Sequence, residues 1–312
     1  MRGESMKRDF IALEHTRPAE LRSLLDLAIS LKADWKAGHR DPLLPGRTLA
    51  MVFQKPSLRT RTSFDIGMYQ LGGHAVYLSP DEIQLGHRES IADAARVLSR
   101  YSDAIMARVF AHSDVVDLAR YASVPVINGL SDYDHPCQGV ADLLTILEKL
   151  GQLKGVHLTY LGDGNNVLHS LLIGGAMLGM HVTAATPDGY GPLPGVVQIA
   201  SALADDSGGS VRLIADPVKA VADADVLYTD TWTSMGQEDE AAVRRQVFPP
   251  YQINEELISQ APSVQGVLHC LPAHRGEEIT DAVADGERSW LFDQAENRLH
   301  GQKAILVHLL KE

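Results

Sequence analysis

The chain has 312 residues, of which 45% are hydrophobic and 22% charged, with a formal net charge of −12. Such a length and composition describe a globular protein of about two domains with enough apolar side chains for a sizeable core. The negative balance argues against a nucleic-acid partner, while leaving room for a local cationic pocket. There are two cysteines, Cys137 and Cys270, and no CxxC pair, so a disulfide framework is not indicated and a reducing, cytoplasmic setting is expected. No signal peptide is read at the start, because no apolar stretch follows the charges of residues 1–7.

In chain order, short apolar and β-branched runs alternate with helical patterns. The first half offers strands at Thr48–Phe53, His74–Leu78, Ala104–Val109 and Val124–Asn128. Helices are expected at Thr62–Leu71, Ser90–Arg100 and Ser113–Tyr121. A turn at Lys149–Gly155 separates the halves. Strands then recur at Val156–Leu161, His181–Ala185, Val211–Ala215, Val226–Thr229 and Gly266–His269. Leu168–Ala185 is the most apolar stretch, but His169, Gly174, Gly175, Gly179 and His181 break it, so it reads as buried helix, turn and strand rather than a membrane span. Thr186–Gly195 reads as loop. Ser289–Leu310 has a helical pattern with Phe292, Ala295, Leu299, Leu306 and Leu310 near one face and Ser289 as a cap. The alternation predicts an α/β chain of two doubly wound parallel-sheet domains. Open parallel sheets bind ligands beyond the carboxyl ends of their strands. The polar outliers Lys55–Arg61, Arg108, His135, Gly162–Asn166, Asp230 and Cys270 all follow strands, which puts an active site in the cleft between the domains.

Five segments carry chemistry. In Lys55-Pro56-Ser57-Leu58-Arg59-Thr60-Arg61-Thr62-Ser63-Phe64, hydroxyls and guanidiniums meet the start of a predicted helix. There, free backbone N–H groups and the helix dipole suit an anion, and Arg59 and Arg61 can add charge-assisted bonds. A helix capped by Ser57 with solvated arginines explains the composition equally well. In Asp134-His135-Pro136-Cys137-Gln138, a histidine donor on a carbonyl oxygen would stabilise charge developing there. Gln138 offers a donor and an acceptor to an amide-like group. A histidine before proline is otherwise more often a turn residue, and Arg108 alone is unremarkable. Leu161-Gly162-Asp163-Gly164-Asn165-Asn166-Val167 begins as a dinucleotide fingerprint would, but Val167 stands where the third glycine belongs. In Asp230-Thr231-Trp232-Thr233-Ser234-Met235-Gly236, Asp230 suits an ammonium group, unless this is a capped loop with a solvated carboxylate. In His269-Cys270-Leu271-Pro272, a cysteine at a strand end beside His269 is either partly thiolate or a small buried hydrophobe.

Taken in order from Phe53 to Ala304, these segments resemble the aspartate/ornithine carbamoyltransferases, and the ornithine-using members in particular. Lys55–Phe64 is similar to the S-T-R-T-R phosphate motif, with Leu58 in place of the usual threonine. The H-P-x-Q, G-D-G-N-N, S-M-G and H-C-L-P motifs follow, and Asp293-Gln294-Ala295-Glu296-Asn297-Arg298 resembles the C-terminal signature. The resemblance implies that residues 1–148, completed by the helix 290–312, bind carbamoyl phosphate and residues 149–289 bind ornithine. Its ligand set for carbamoyl phosphate is Ser57, Leu58, Arg59, Thr60, Gln84, Arg108, His135, Pro136, Cys137, Gln138, Cys270, Leu271 and Arg298, with Gln84 offered to a neighbouring subunit. Asn166, Asp230, Ser234 and Met235 would hold ornithine. Arg108, His135 and Cys270 would be catalytic, Cys270 lying against the acceptor amine. The Cys270 and Leu271 carbonyls would hold the carbamoyl nitrogen ahead of a cis Leu271–Pro272 bond.

On this reading the enzyme carbamoylates the ornithine δ-amine to give citrulline and phosphate, for arginine biosynthesis. No cofactor or metal is needed, because phosphate already activates the carbamoyl group. A homotrimer is implied, with no nucleic-acid or membrane partner. The proton from the amine goes to Cys270 or to the departing phosphate. Rival readings are a sister transferase using putrescine, aspartate or an acylated ornithine, a nucleotide-dependent dehydrogenase, and a catalytically silent binding protein.

Overall fold

A computed structural model describes residues 7–234 and 236–311. Among the described residues, nine strands form two wholly parallel sheets. Strands β1 (Thr48–Phe53), β2 (His74–Leu78), β3 (Ala104–Arg108) and β4 (Val126–Leu130) make one sheet, in the order β2-β1-β3-β4. Strands β5 (His157–Leu161), β6 (His181–Ala185), β7 (Ser210–Leu213), β8 (Val226–Thr229) and β9 (Gly266–His269) make the other, in the order β7-β6-β5-β8-β9. Five helices occupy the first part: α1 (Pro18–Lys36), α2 (Leu58–Gln70), α3 (Pro80–Ile83), α4 (Ile91–Tyr101) and α5 (His112–Tyr121). Next come α6 (Pro136–Leu150), α7 (Asn166–Met177) and α8 (Pro194–Ser207). The chain divides into two compact units, residues 1–140 with 298–312 and residues 141–297.

Parallel strands need a crossover between neighbours, and the helices that supply it cover the sheet faces. Central strands are therefore apolar runs, and β3 and β8 are buried along their whole length. The edges β2 and β7 are only partly covered. The β4 edge is closed by the N-terminal segment, since Phe10 donates to the Val126 carbonyl and accepts from the Asn128 N–H, both at 2.8 Å. In each unit the core packs between sheet and helices: Val52, Ile105, Val115 and Leu118 in the first, Leu161, Leu227, Val267 and Leu291 in the second.

Both sheets have a topological switch point, where successive crossovers leave in opposite directions. It lies between β1 and β3 in one sheet and between β5 and β8 in the other. Arg108 ends one of these four strands, and the segments following the other three carry Ser57–Arg59, Asp163–Asn166 and Asp230.

The apolar stretch behaves as expected, with Val167–Met177 buried in α7 and β6 beginning at His181. Among the described residues no helix is long and apolar enough to cross a membrane. Several element bounds shift, as at β7, which runs Ser210–Leu213 rather than Val211–Ala215, and three of the shifts have a visible cause. The helix expected from Thr62 begins at Leu58, because Ser57 Oγ accepts the Thr60 N–H at 3.2 Å. The fourth strand starts at Val126 rather than Val124, because Pro125 has no N–H to pair. The last helix, Leu291–Leu310, starts two residues after Ser289, whose buried hydroxyl makes no hydrogen bond. Its apolar face is also partly misjudged. Leu306 and Leu310 are buried as expected, but Phe292 is 65% exposed, while Gln294, Asn297, Arg298 and Gln302 are buried, because the first half of the helix is held by hydrogen bonds as well as by apolar contact.

Candidate active site

In the first unit, Ser57 caps α2 and leaves the first turn beyond β1. Leu58 is the first helical residue and its side chain is 76% exposed, so its side chain faces solvent. Thr60 is buried, and its hydroxyl accepts from Arg298 Nη2 at 3.1 Å. Arg298 Nη1 donates to Gln138 Oε1 at 2.7 Å. One guanidinium thus ties the helix turn after β1 to the start of α6. Arg108 ends β3 and is buried, as is Lys55. Burial and the positive charge of Arg108 bring the Lys55 ammonium down to about 8. Arg61 stacks on the Tyr77 ring, 3.9 Å from its centroid.

His135 stands at the head of α6, 5% exposed. Burial holds its pKa well below the usual value, and Arg298, Arg108, Lys55 and Arg59 add to the effect. The imidazole is therefore neutral and can donate one N–H to a carbonyl oxygen without a net charge. Cys137 is fully buried, its thiol pushed up to about 12 by burial and donating to the Asn128 carbonyl at 3.3 Å. It shapes the turn through its backbone and is inert as a nucleophile. Gln84 is set apart. It ends α3 with φ 41° and lines a pocket of about 510 Å³ with Gln54, His87 and Phe110, which none of the other expected phosphate ligands borders.

In the second unit, Gly162–Asn166 follows β5. Gly164 lies so close to Gly191 that a Cβ would sit 2.2 Å from that backbone. Asn165, whose role the sequence reading missed, is the centre of the turn. Its Oδ1 accepts from the Val167 and Leu168 N–H groups and caps α7, and its Nδ2 donates to Asp230 Oδ2 at 2.8 Å. Asp230 Oδ1 accepts from the Thr231 N–H at 2.8 Å and from the Cys270 thiol at 2.9 Å. These three donors aim a 7% exposed carboxylate beyond the switch point. Cys270 is thus neither an isolated thiolate nor a buried hydrophobe. It is a thiol that donates to Asp230. Asn166 opens α7, and Ser234 is partly buried. Met235, expected to contact ornithine, lies outside the described residues. Leu271 has φ 58°, and the Leu271–Pro272 bond is cis.

Arg244 was also missed, since nothing in its local sequence marks it. It is 4% exposed, pairs with Asp163 at 3.0 Å and Glu240 at 2.9 Å, and donates to the Trp232 carbonyl at 2.7 Å. It joins the turn after β5 to both flanks of the Ser234 loop. Burial drives the Asp163 carboxyl up to about 6 despite this partner. Among the described residues, two trios of side chains have the spacing of cation ligands, Asp230–His269–Cys270 and His274–Glu277–Glu278. In each, existing bonds already occupy members: His269 holds Glu278 and Leu271, and Glu277 holds Arg245.

Residues 8–148 match the aspartate/ornithine carbamoyltransferase carbamoyl-P binding domain, and residues 154–309 match the Asp/Orn binding domain of the same family. An ornithine carbamoyltransferase of Pyrococcus horikoshii is 58% identical over 97% of this chain and 96% of its own length. An anabolic ornithine carbamoyltransferase of Pyrococcus furiosus is 57% identical over 96% of this chain and 95% of its own. The solved structure of the Pyrococcus furiosus ornithine carbamoyltransferase superposes with a TM-score of 0.94 at 56% identity, covering 97% of each chain. That from Thermus thermophilus gives 0.87 at 44% identity, over 98% of this chain and 100% of the other.

Proposed function

The chain belongs to the aspartate/ornithine carbamoyltransferase family, and from that premise we infer that it is an ornithine carbamoyltransferase, moving the carbamoyl group of carbamoyl phosphate to the δ-amine of L-ornithine to give L-citrulline and phosphate. Residues 1–148 with 290–312 take carbamoyl phosphate, and residues 149–289 take ornithine. The observation that carries the choice of acceptor is Asp230, a carboxylate already oriented by Asn165, Thr231 and Cys270 and suited to an ammonium group. A diamine without an α-amino acid head would leave part of that recognition unused.

The phosphate rests on the N-terminal turn of α2, held by Ser57, the Leu58 backbone, Arg59 and Thr60, with Arg108 and Arg298. Arg108 and the neutral His135 stabilise the oxygen that becomes negative as the δ-amine attacks. Gln138 and the carbonyls of Cys270 and Leu271 orient the carbamoyl nitrogen. Asn166, Asp230, Ser234 and Met235 hold the acceptor. The new C–N bond forms as the C–O bond to phosphate breaks. The amine proton leaves to the departing phosphate, because Cys270 keeps its own proton, hydrogen-bonded to Asp230, and cannot accept another. Positioning and electrostatics supply the rate.

The protein is further proposed to be a cytoplasmic homotrimer. Its two free cysteines suit a reducing compartment. Gln84, apart from the other ligands, suits donation to a neighbouring copy's site. Citrulline formation from carbamoyl phosphate, with ornithine, putrescine, aspartate and acetylornithine offered in parallel, tests the reading. Selective turnover of ornithine is expected. Equal use of another acceptor sinks the acceptor assignment, and no turnover sinks the whole.

A further inference from the structure

His269 ends β9, is fully buried, and its ring makes two hydrogen bonds. Nδ1 accepts the Leu271 N–H at 2.8 Å. A ring nitrogen that accepts an amide proton carries none itself, so the imidazole proton sits on Nε2. From there it donates to Glu278 Oε1 at 2.9 Å. Glu278 is itself fully buried and also accepts the His274 N–H. Neither ring nitrogen therefore serves Cys270, whose thiol turns to Asp230.

What the ring does hold is a backbone. Leu271 and Gln84 are the non-glycine residues with positive φ among those described. A leucine keeps φ 58° only where its surroundings over-determine it, and its amide bond to His269 spans that bend. His269 is in turn anchored, its own N–H donating to Gln294 Oε1 at 2.8 Å. Gln294 donates to Asp142 and to the Tyr228 hydroxyl.

We propose that His269 and Glu278 are a positioning pair. Glu278 locks the imidazole in its Nε2–H form, so that Nδ1 pins the Leu271 amide and sets the Cys270 and Leu271 carbonyls. The catalytic consequence rests on the function proposed above, where those carbonyls orient the carbamoyl nitrogen. The pair acts through the backbone and transfers no proton.

Two substitutions separate this from a merely structural role. Asparagine at 269 places an amide oxygen where Nδ1 lies, whereas glutamine carries its amide further out, towards Glu278. Expected is that His269→Asn keeps kcat within about fivefold, while His269→Gln lowers it about 30-fold or more with ornithine KM moved less than about threefold. A structural role would lower the folded fraction and leave the two variants alike, and equal kcat in both overturns the proposal. Nitrogen-15 NMR of the unsubstituted chain, with its histidines labelled, gives a second reading that needs no variant to fold. A protonated Nε2 and a bare, hydrogen-bonded Nδ1 at His269 are expected; a proton on Nδ1 overturns the pairing. If the unsubstituted chain turns over no acceptor, the functional reading fails, while the NMR result still decides the pair.

Discussion

The thiol of Cys270 donates to Asp230 Oδ1 at 2.9 Å, while the opposite oxygen, Oδ2, takes the Asn165 amide at 2.8 Å. One carboxylate thus joins the ends of β5, β8 and β9, and its orientation does not depend on a ligand. Asn165 has two duties, capping α7 and aiming Asp230, and substitutions divide them. Asn165→Ala loses both, and is expected to cost about 1 kcal/mol of stability and to raise ornithine KM at least about tenfold. Asn165→Asp keeps the cap but sets a second carboxylate against Asp230. It should keep more stability than the alanine variant and bind ornithine no better. Denaturant titration beside ornithine saturation curves checks this; unchanged ornithine KM in both variants would refute the aiming role.

His135 is expected to leave a signature in stability rather than in the rate profile. Its folded pKa lies below the unfolded value of about 6.5. Between those two values the unfolded chain binds more protons, so this group's contribution is fully present above about 6.5 and falls as pH drops below it. Urea unfolding at pH 7.5 and pH 5.5 should show a drop that is smaller in His135→Gln. The neutral imidazole likewise predicts no histidine inflection in kcat near 6.5. An inflection there that His135→Gln abolishes would contradict the assigned charge state.

Arg244 and Asp163 give a prediction of opposite pH sense. The Asp163 pKa is raised from 3.8 to about 6, so the native state takes up this proton more readily than the unfolded chain. Its contribution therefore declines as pH rises through that window. Arg244→Ala leaves the carboxylate buried without its cation and should cost about 3 kcal/mol at pH 7.5. The cost should shrink at pH 5, where Asp163 is protonated. Thermal unfolding of the variant and the unsubstituted chain at both pH values measures it; a loss that grows on acidification would refute the account.

Leu58 stands where the S-T-R-T-R motif that this segment resembles has threonine, and its side chain points to solvent. Leu58→Thr should change carbamoyl phosphate KM by less than about threefold, since a backbone donor at a helix N-terminus is indifferent to its side chain. An improvement of tenfold or more in saturation curves would show that a hydroxyl had been missing.

The two parallel-sheet units and most of their strands were legible because they rest on local signals. Apolar runs mark β1, β3, β5, β8 and β9, and the polar residues that follow them sit at the two switch points. Two things were not legible. The first is partnership across the sequence: Asn165 with Asp230, Arg244 with Asp163, and His269 with Glu278 lie 65, 81 and 9 positions apart, and no periodicity encodes them. An asparagine before a helix does announce a cap, which was the available clue to Asn165. The second is the face of the last helix. Periodicity selected the buried Leu306 and Leu310 but also the exposed Phe292, and passed over the buried Gln294, Asn297 and Arg298, held by Asp142, Thr145 and Gln138 in hydrogen bonds.

The central claim is a division of labour, with the donor held by the cationic turn of α2 and the acceptor by Asp230. Steady-state saturation of Arg59→Ala and Asp230→Ala with both substrates tests it most directly. Arg59→Ala should raise carbamoyl phosphate KM about 100-fold and Asp230→Ala should raise ornithine KM by a similar factor, each leaving the other substrate within about threefold. If Asp230→Ala instead impairs carbamoyl phosphate while ornithine saturates as before, the assignment of the second unit to the acceptor is wrong.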